Sequence, residues 1–469
     1  MTEPDTSATM AEPASIERAE IRRRVLALAL PALGEQLLNF CVSLFDTWLA
    51  GRVSTGDHET GVYTTTVGIA AYVSWLASLI FLLVGTGTTA LVARAHGSGD
   101  NEQANRFACR SMTLAGLLGI LIFFMLQGLA PLYTSLQKMT GESQRVAVSF
   151  LRTDAWGQLF FGFCLIGSAA LRGMGNMRAS MFILGAVNVI NMIVSSTLVF
   201  GIGPLAPWGI DGVVAGTVVA RVCGGLLMLS VFARGISGLR FRWGFLLPHG
   251  DDVRRILNIG LPAAIDGVLT WCGQWLFLMI IARLGDDSSG KAYTAAHIIG
   301  MEVEALTYLP ASAWGYAAAA LIGHSLGAGD PKRARRIGNE AARQALIAAF
   351  VGMIVYLVGA DLIFAVMSSE PLVRQIGAPA LRFLSWYQIP LVTLIVYLYS
   401  IRGAGDTRPV LVLNVLGIFL VRIPFGLLMG IGLGYGLIGA WSGMCVDVTL
   451  RALIAWHYFS RERWARIRV

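Results

Sequence analysis

Acidic and amide side chains recur at helical spacing inside the apolar stretches of this chain, and any chemistry has to be built from them. Near the amino terminus, Glu35, Asn39 and Asp46 fall at i, i+4 and i+11, which at about 100° per residue keeps them within about a 40° arc of one helix. An ionisable group near mid-bilayer costs roughly 2.5–3.5 kcal/mol on insertion scales, so such residues face a cavity or a partner. The stripe reads as a proton or cation path led by Asp46, with an interhelical hydrogen-bond seam as the plainer alternative.

Three further stretches carry similar side chains. Asp266, Thr270 and Gly273, with Gln274 beside them, form a second stripe, and Asn188, Asn191 and Ser195 share one face at i, i+3 and i+7. His297 and Glu304 are seven residues apart on one face while Glu302 points away. A lone histidine is more often a satisfied core residue, but two glutamates in a membrane helix require an explanation, and Glu302 or Glu304 is expected as a second coupling or substrate carboxylate. Trp386, Tyr387 and Gln388 could stack on or hydrogen-bond a flat cation, the plainer reading being core or interface belt. Asp447 and Arg451, at i and i+4, read as a local ion pair. Asp154, Asp211 and Asp361 fall near expected helix ends and read as solvated or capping. Arg221 and Arg422 have no partner that the sequence assigns.

The elements that must position these residues follow from composition. Apolar types make up 55% of the 469 residues and charged types 14%, against about 25% charged in soluble domains. Stretches long enough to cross about 30 Å of hydrocarbon lie near 26–50, 61–92, 107–133, 148–171, 180–202 and 210–233, then near 256–282, 293–323, 340–368, 378–400, 410–430 and 435–459. The expected architecture is an all-α polytopic membrane protein of twelve transmembrane helices. The polar first 17 residues lack the apolar core of a secretory signal. None of the six cysteines forms a C-x-x-C pair, which argues against a disulfide framework or a metal cluster.

A net charge of +8 could suggest nucleic acid, but its distribution excludes that. With the amino terminus taken as cytoplasmic, 25 of the 36 Lys and Arg fall in the inside segments, as the positive-inside bias requires. Both termini are then cytoplasmic, in a plasma (inner) membrane. The domain plan is a cytoplasmic tail (1–25), a six-helix lobe (26–234), a cytoplasmic linker (235–255), a second six-helix lobe (256–459) and a basic tail (460–469).

The halves repeat one another. "RGMGNMR" at 172–178 recurs as "RGAGDTR" at 402–408, and "GSGD" at 97–100 as "GAGD" at 327–330, both at an offset of 230. "LPALGE" at 30–35 recurs as "LPAAID" at 261–266, making Asp266 the repeat partner of Glu35, and the glycines of "GIDGVVAG" at 209–216 align with "GLIGAWSG" at 436–443. Matches in one order mean homologous halves. Because six is even, they are parallel repeats, with a central cavity expected between two lobes. The glycines Gly97, Gly99, Gly173, Gly175, Gly327, Gly329, Gly403 and Gly405, with Arg172, Arg402, Asp100, Asp330 and Asp406, are assigned to cytoplasmic loops, where glycine permits tight turns and an Asp or Asn caps the next helix.

Several stretches together resemble the multidrug and toxic compound extrusion (MATE) family over nearly the whole chain: "LALPALGEQLLNF…LFDTWLAG", "ALVARAHGSGD", "ALRGMGNMR", "AAHIIGMEVEAL", "ALIGHSLGAGD" and "SIRGAGDTR". The resemblance implies a polyspecific exporter that exchanges organic cations for protons or sodium by alternating access. "DTWLAG" looks like the family segment that supplies a titrating aspartate, here Asp46. The NorM-like branch typically has a glutamate at Thr270 and an acid in the tenth helix; with Ser195 also standing where an Asp is common, the chain resembles the DinF-type branch, in which the helix 1 aspartate acts largely alone.

Rival classes have less support. The six histidines are scattered, and "DDVRR" at 251–255 lies in the loop joining the halves and lacks the second acidic pair a membrane transferase would need, so an enzyme is not expected. A channel is more naturally a ring of short subunits. The remaining alternative is a flippase for a lipid-linked saccharide or other amphiphile. No spacing asks for a metal or organic cofactor, the coupling ion being a proton rather than sodium. The expected substrates are small, amphipathic and cationic, and the expected state is a monomer in the lipid bilayer.

Overall fold

The computed structural model describes residues 6–52, 61–137, 139–201, 206–247, 249–285 and 287–467. Positions 1–5 and 468–469, at the ends of the two expected tails, lie outside them. Helix dominates because a backbone in hydrocarbon has no water to bond and must satisfy every N–H and C=O internally. The first half of the sequence forms α1 (Thr6–Arg52), α2 (Gly61–Gly97), α3 (Asn101–Leu136), α4 (Gly141–Gly173), α5 (Met177–Phe200) and α6 (Ile210–Arg234). A short α7 (Trp243–Leu246) leads into the second half: α8 (Gly250–Ala282), α9 (Asp287–Gly327), α10 (Pro331–Met367), α11 (Pro371–Leu384), α12 (Gln388–Gly403), α13 (Thr407–Leu416), α14 (Ile423–Leu427) and α15 (Gly436–Ser460).

The chain is an integral membrane protein. Among the described residues, eleven helical runs are long and apolar enough to cross a bilayer. The twelfth expected span is α9, a helix of 41 residues whose hydropathy is held down by His297, Glu302, Glu304 and many small residues. Two spans are less regular than expected. The tenth breaks between α11 and α12 into a 3-10 turn at Ser385–Tyr387. The eleventh relaxes into π-helix at Gly417–Arg422 and again at Leu428–Gly432.

The repeated loops are alike in conformation. Gly99, Gly175, Gly329 and Gly405 have φ of 81°, 77°, 76° and 89°, a region open to glycine at little cost. In three loops the next side chain caps the following helix: Asp100 accepts from the Gln103 N–H at 2.8 Å, Asn176 from Ala179 at 3.0 Å and Asp330 from Arg333 at 2.8 Å. Asp406 departs from the pattern, accepting instead from the Tyr458 hydroxyl at 2.5 Å. The first glycines of two loops sit under close helix contacts: a Cβ on Gly173 would lie 2.9 Å from Val92, and one on Gly403 would lie 2.3 Å from the Ala319 Cα.

The chain divides into two compact units, but not at the expected boundaries of 26–234 and 256–459. One unit runs Gly34–Ala264; the other joins the segment ending at Leu33 to the chain from Ile265 onward. Both divisions fall inside helices, just past Pro31 in α1 and Pro262 in α8. In the Gly34–Ala264 unit, the first half of α8 packs on α2: a Cβ on Gly260 would meet the Leu83 carbonyl, and one on Gly87 the Ile256 carbonyl at 2.3 Å. Asp252 is held there by Arg106, at 3.1 Å, and by Arg110. In the other unit, the first half of α1 buries Ile21 and Val25 in the core. It also pairs Glu17 and Glu20 with Arg336 and Arg333 at 2.7 and 3.2 Å.

Candidate functional site

In the Gly34–Ala264 unit, α1 brings Asp46 to a polar cluster built by α2, α4 and α6. Arg221 donates to Asp154 at 2.7 Å, and Asp154 also accepts from Ser74 at 3.2 Å and Gln158 at 3.0 Å. The Arg221 guanidinium lies 4.8 Å from the Phe161 ring centroid. Asp154 is 3% exposed, so it is a buried counter-ion rather than the solvated or capping residue expected. The sequence reading began this span near residue 148, whereas α4 begins at Gly141, and that error placed Asp154 too close to an end. Asp46 has the opposite environment: its Oδ1 is buried without a hydrogen-bond partner, and the cation that acts on it, Arg221, is already engaged by Asp154. Arg221 is bonded to Asp154 and reaches Asp46 only through its charge. When both carboxylates are ionised, the cluster has one negative charge to spare.

The rest of the α1 stripe is hydrogen-bonded to neighbouring helices. Glu35, expected in ion coupling, is 5% exposed and bonded to Arg172 at 3.1 Å and Ser180 at 2.8 Å. Asn39 accepts from Asn188 at 2.9 Å. Asn191 donates to Thr217 at 3.2 Å and accepts from Ser195 at 3.3 Å, so the α5 face is an interhelical seam.

In the other unit, Asp266 repeats the Glu35 ion pair through the repeat-related arginine, while its second partner, Asn414, is not at the position that corresponds to Ser180. Arg402 pairs with Asp266, and Asn414 donates to it at 2.8 Å. Both acids of the "LPALGE" and "LPAAID" segments are therefore gripped by the arginine of their own unit's Arg-Gly-x-Gly loop. From Asn414 a polar chain runs on: Arg451 donates to Asn414 at 2.7 Å and to Asp447 at 2.7 and 2.5 Å, and Arg422 donates to Asp447 at 2.9 Å. The expected Asp447–Arg451 pair is present, and Asp447 is also the partner of Arg422. Gly417 leaves room for it, since a Cβ there would fall 2.2 Å from an Asp447 carboxylate oxygen.

Glu304 is 8% exposed and one of its oxygens has no hydrogen-bond partner; its polar neighbours are Arg422 and the Tyr387 hydroxyl. Here two guanidinium groups, Arg422 and Arg451, face two carboxylates, Asp447 and Glu304, so an ionised Glu304 completes the balance. Like Asp46, Glu304 faces an arginine already held by another carboxylate; it differs in that Asp447 holds a second guanidinium, Arg451.

Several expected site residues lie elsewhere. His297 accepts from the Trp441 indole at 3.0 Å and is 6% exposed, a satisfied core histidine. Gln388 is fully buried and bonds the Leu384 carbonyl at 3.3 Å. Trp386 is 66% exposed, away from buried Tyr387. Glu302 and Gln274 are exposed and Thr270 half-buried. Sequence reasoning missed Ser74, Gln158 and Asn414, whose roles depend on helices far apart in sequence and leave no local signal.

Comparison with known proteins places this geometry in context. The sequence model of the MatE family matches the chain twice, at residues 31–197 and 262–428. A probable multidrug resistance protein NorM of Thermotoga maritima is 27% identical over 96% of this chain and 94% of its own length. The multidrug resistance protein PmpM of Pseudomonas aeruginosa is 24% identical over 93% of this chain and 90% of its own. Among solved structures, an outward-facing multidrug resistance MATE family transporter of the MOP superfamily superposes with a TM-score of 0.86 at 17% identity, covering 94% of this chain and 95% of that one.

Proposed function

The chain belongs to the MatE family, and from that premise we propose that it is a cation-coupled multidrug efflux antiporter, with protons rather than sodium as the driving ion. The relatives are multidrug resistance proteins by name, and transport rather than catalysis is the activity assigned.

One observation carries the coupling assignment. Asp46 is the carboxylate left over when the charges of its cluster are paired, and a surplus negative charge in a low-dielectric interior must be met by a proton or a cation. Organic cation and proton compete for it. Protonation from the outer side displaces the substrate, and differential affinity for the two ions supplies the coupling free energy. Glu35 and Asp266, tied to Arg172 and Arg402, act in this scheme as anchors. Glu304 acts as a counter-ion whose loss leaves a surplus positive charge repelling the cargo. A single working acid in the amino-terminal half supports the DinF-type reading over one with acids in both halves. Substrates of this mechanism are small, amphipathic and cationic, and the carrier works as a monomer in the inner membrane with both termini cytoplasmic.

The test uses inside-out vesicles with an imposed pH gradient and a pH-sensitive dye. Ethidium or tetraphenylphosphonium should collapse the gradient with the wild type, with or without sodium, and leave it intact with Asp46→Asn. Cation-evoked proton movement that persists in Asp46→Asn would remove Asp46 from the coupling site. No response to a broad cation panel would turn the assignment toward flipping of a lipid-linked amphiphile.

A further inference from the structure

Outside the polar clusters, one concavity stands apart. It lies between α3 and α4, at the end of the Gly34–Ala264 unit opposite the Gly-x-Gly-Asp loops, and has a volume of about 540 Å³. One wall is a stripe of α4 that includes Arg145, Ser149, Arg152 and Trp156; Gln127 and Pro131 of α3 form the other. Gln127 and Arg152 tie the walls together, each donating to the other's carbonyl, at 2.9 and 3.2 Å. Both arginines are exposed on this face, and neither guanidinium has a carboxylate partner among the described residues.

Depth says what the groove meets. Counted back from Gly173, about 30 Å of hydrocarbon takes up about 20 residues of helix, which places Arg152 and Arg145 at headgroup level and Trp156 among the upper acyl chains. The lower margin is apolar and open: Trp156 is 55% exposed, with the Phe123 ring 4.7 Å away, and the neighbouring Phe124 of α3 is 67% exposed. Two unpaired cations above an apolar shelf complement a phosphate above an acyl chain.

We propose that the α3–α4 groove is a binding site for an anionic phospholipid, whose phosphate is held by Arg145 and Arg152 and whose first acyl segment lies on Trp156 and the exposed face of α3. Phosphatidylglycerol has the required chemistry: one phosphodiester charge and no headgroup cation to oppose the arginines. The groove opens on the α4 face that carries Arg152 and Trp156, and the proposal does not rest on the coupling assignment.

Native mass spectrometry of the purified full chain tests this with phosphatidylglycerol and phosphatidylcholine of identical acyl chains. The wild type is expected to hold phosphatidylglycerol about tenfold or more tightly than phosphatidylcholine, Arg145→Gln/Arg152→Gln to lose that preference, and Arg145→Lys/Arg152→Lys to keep most of it. Trp156→Ala should weaken both lipids alike. Arg145→Gln alone, at an exposed position, decides the question if the double variant does not fold, and should lose about threefold or more. Equal retention of phosphatidylglycerol by the glutamine variants would overturn the proposal. So would effective competition by glycerol 3-phosphate, which would mark a site for a free anion rather than a lipid.

Discussion

At the scale of single residues, similar carboxylates are given different tasks by their counter-ions. Asp46→Asn removes a surplus charge and should leave the unfolding free energy within about 0.5–1 kcal/mol of the wild type while abolishing coupling. Glu304→Gln leaves Arg422 and Arg451 against Asp447 alone and should cost about 1–3 kcal/mol, less than breaking a contact pair because Glu304 touches neither arginine in a salt bridge. Thermal unfolding in detergent separates the two; equal destabilisation would remove the charge-balance argument. Asp406, between two spans, makes a pH-dependent contribution. Burial pushes its carboxyl above the ordinary value of 3.8, the Tyr458 hydroxyl opposing. The folded chain then keeps a proton that the unfolded chain has released, so stability falls as pH rises from 3.8 toward the raised value. Asp406→Asn removes that slope. Its midpoint should exceed that of the wild type near neutrality, with the gap narrowing on acidification below the ordinary value; a gap constant with pH would exclude this titration. The sequence exposed Asp46, Glu304 and the Asp447–Arg451 pair because a charge among apolar residues is conspicuous. It did not show that Asp154 occupies Arg221, which depends on three helices meeting.

At the scale of elements, the repeated phrases become joints. Each Arg-Gly-x-Gly loop turns on a positive-φ glycine and sends its arginine to the acid that follows the repeated Leu-Pro-Ala, giving Arg172–Glu35 and Arg402–Asp266. Side chains of Arg172 and Glu35 are 13% and 6% exposed, so removing one partner strands a buried charge. Arg172→Gln is expected to cost about 3–5 kcal/mol, and the double variant with Glu35→Gln less than the sum of the single changes. A double-mutant cycle by thermal unfolding measures the coupling, and strict additivity would show that the pair does not hold the loop. The loops were legible because glycine and a capping acid form a local signal. The destination of the arginines was not, since 137 residues separate Glu35 from Arg172.

At the scale of the whole molecule, the two compact units exchange the leading halves of α1 and α8. Val25 and Ile256, related by the repeat, are both fully buried, each in the unit built mainly from the other half of the sequence. Ile256→Ala should therefore cost about 2–5 kcal/mol, whereas Glu20→Gln, which breaks a partly exposed pair, should cost about 1 kcal/mol or less; a reversed order would place the hold of these segments in their surface charges. The sequence by itself determined the membrane class, the helical spans and the duplication, because hydrophobic length, charge asymmetry and repeated turn residues are written in contiguous stretches. The tertiary structure alone decided where one unit ends and the other begins, and which acid is left without a counter-ion. Packing of a helix half against a distant neighbour, and the pairing of charges across four helices, are set by three-dimensional proximity that one-dimensional spacing does not encode.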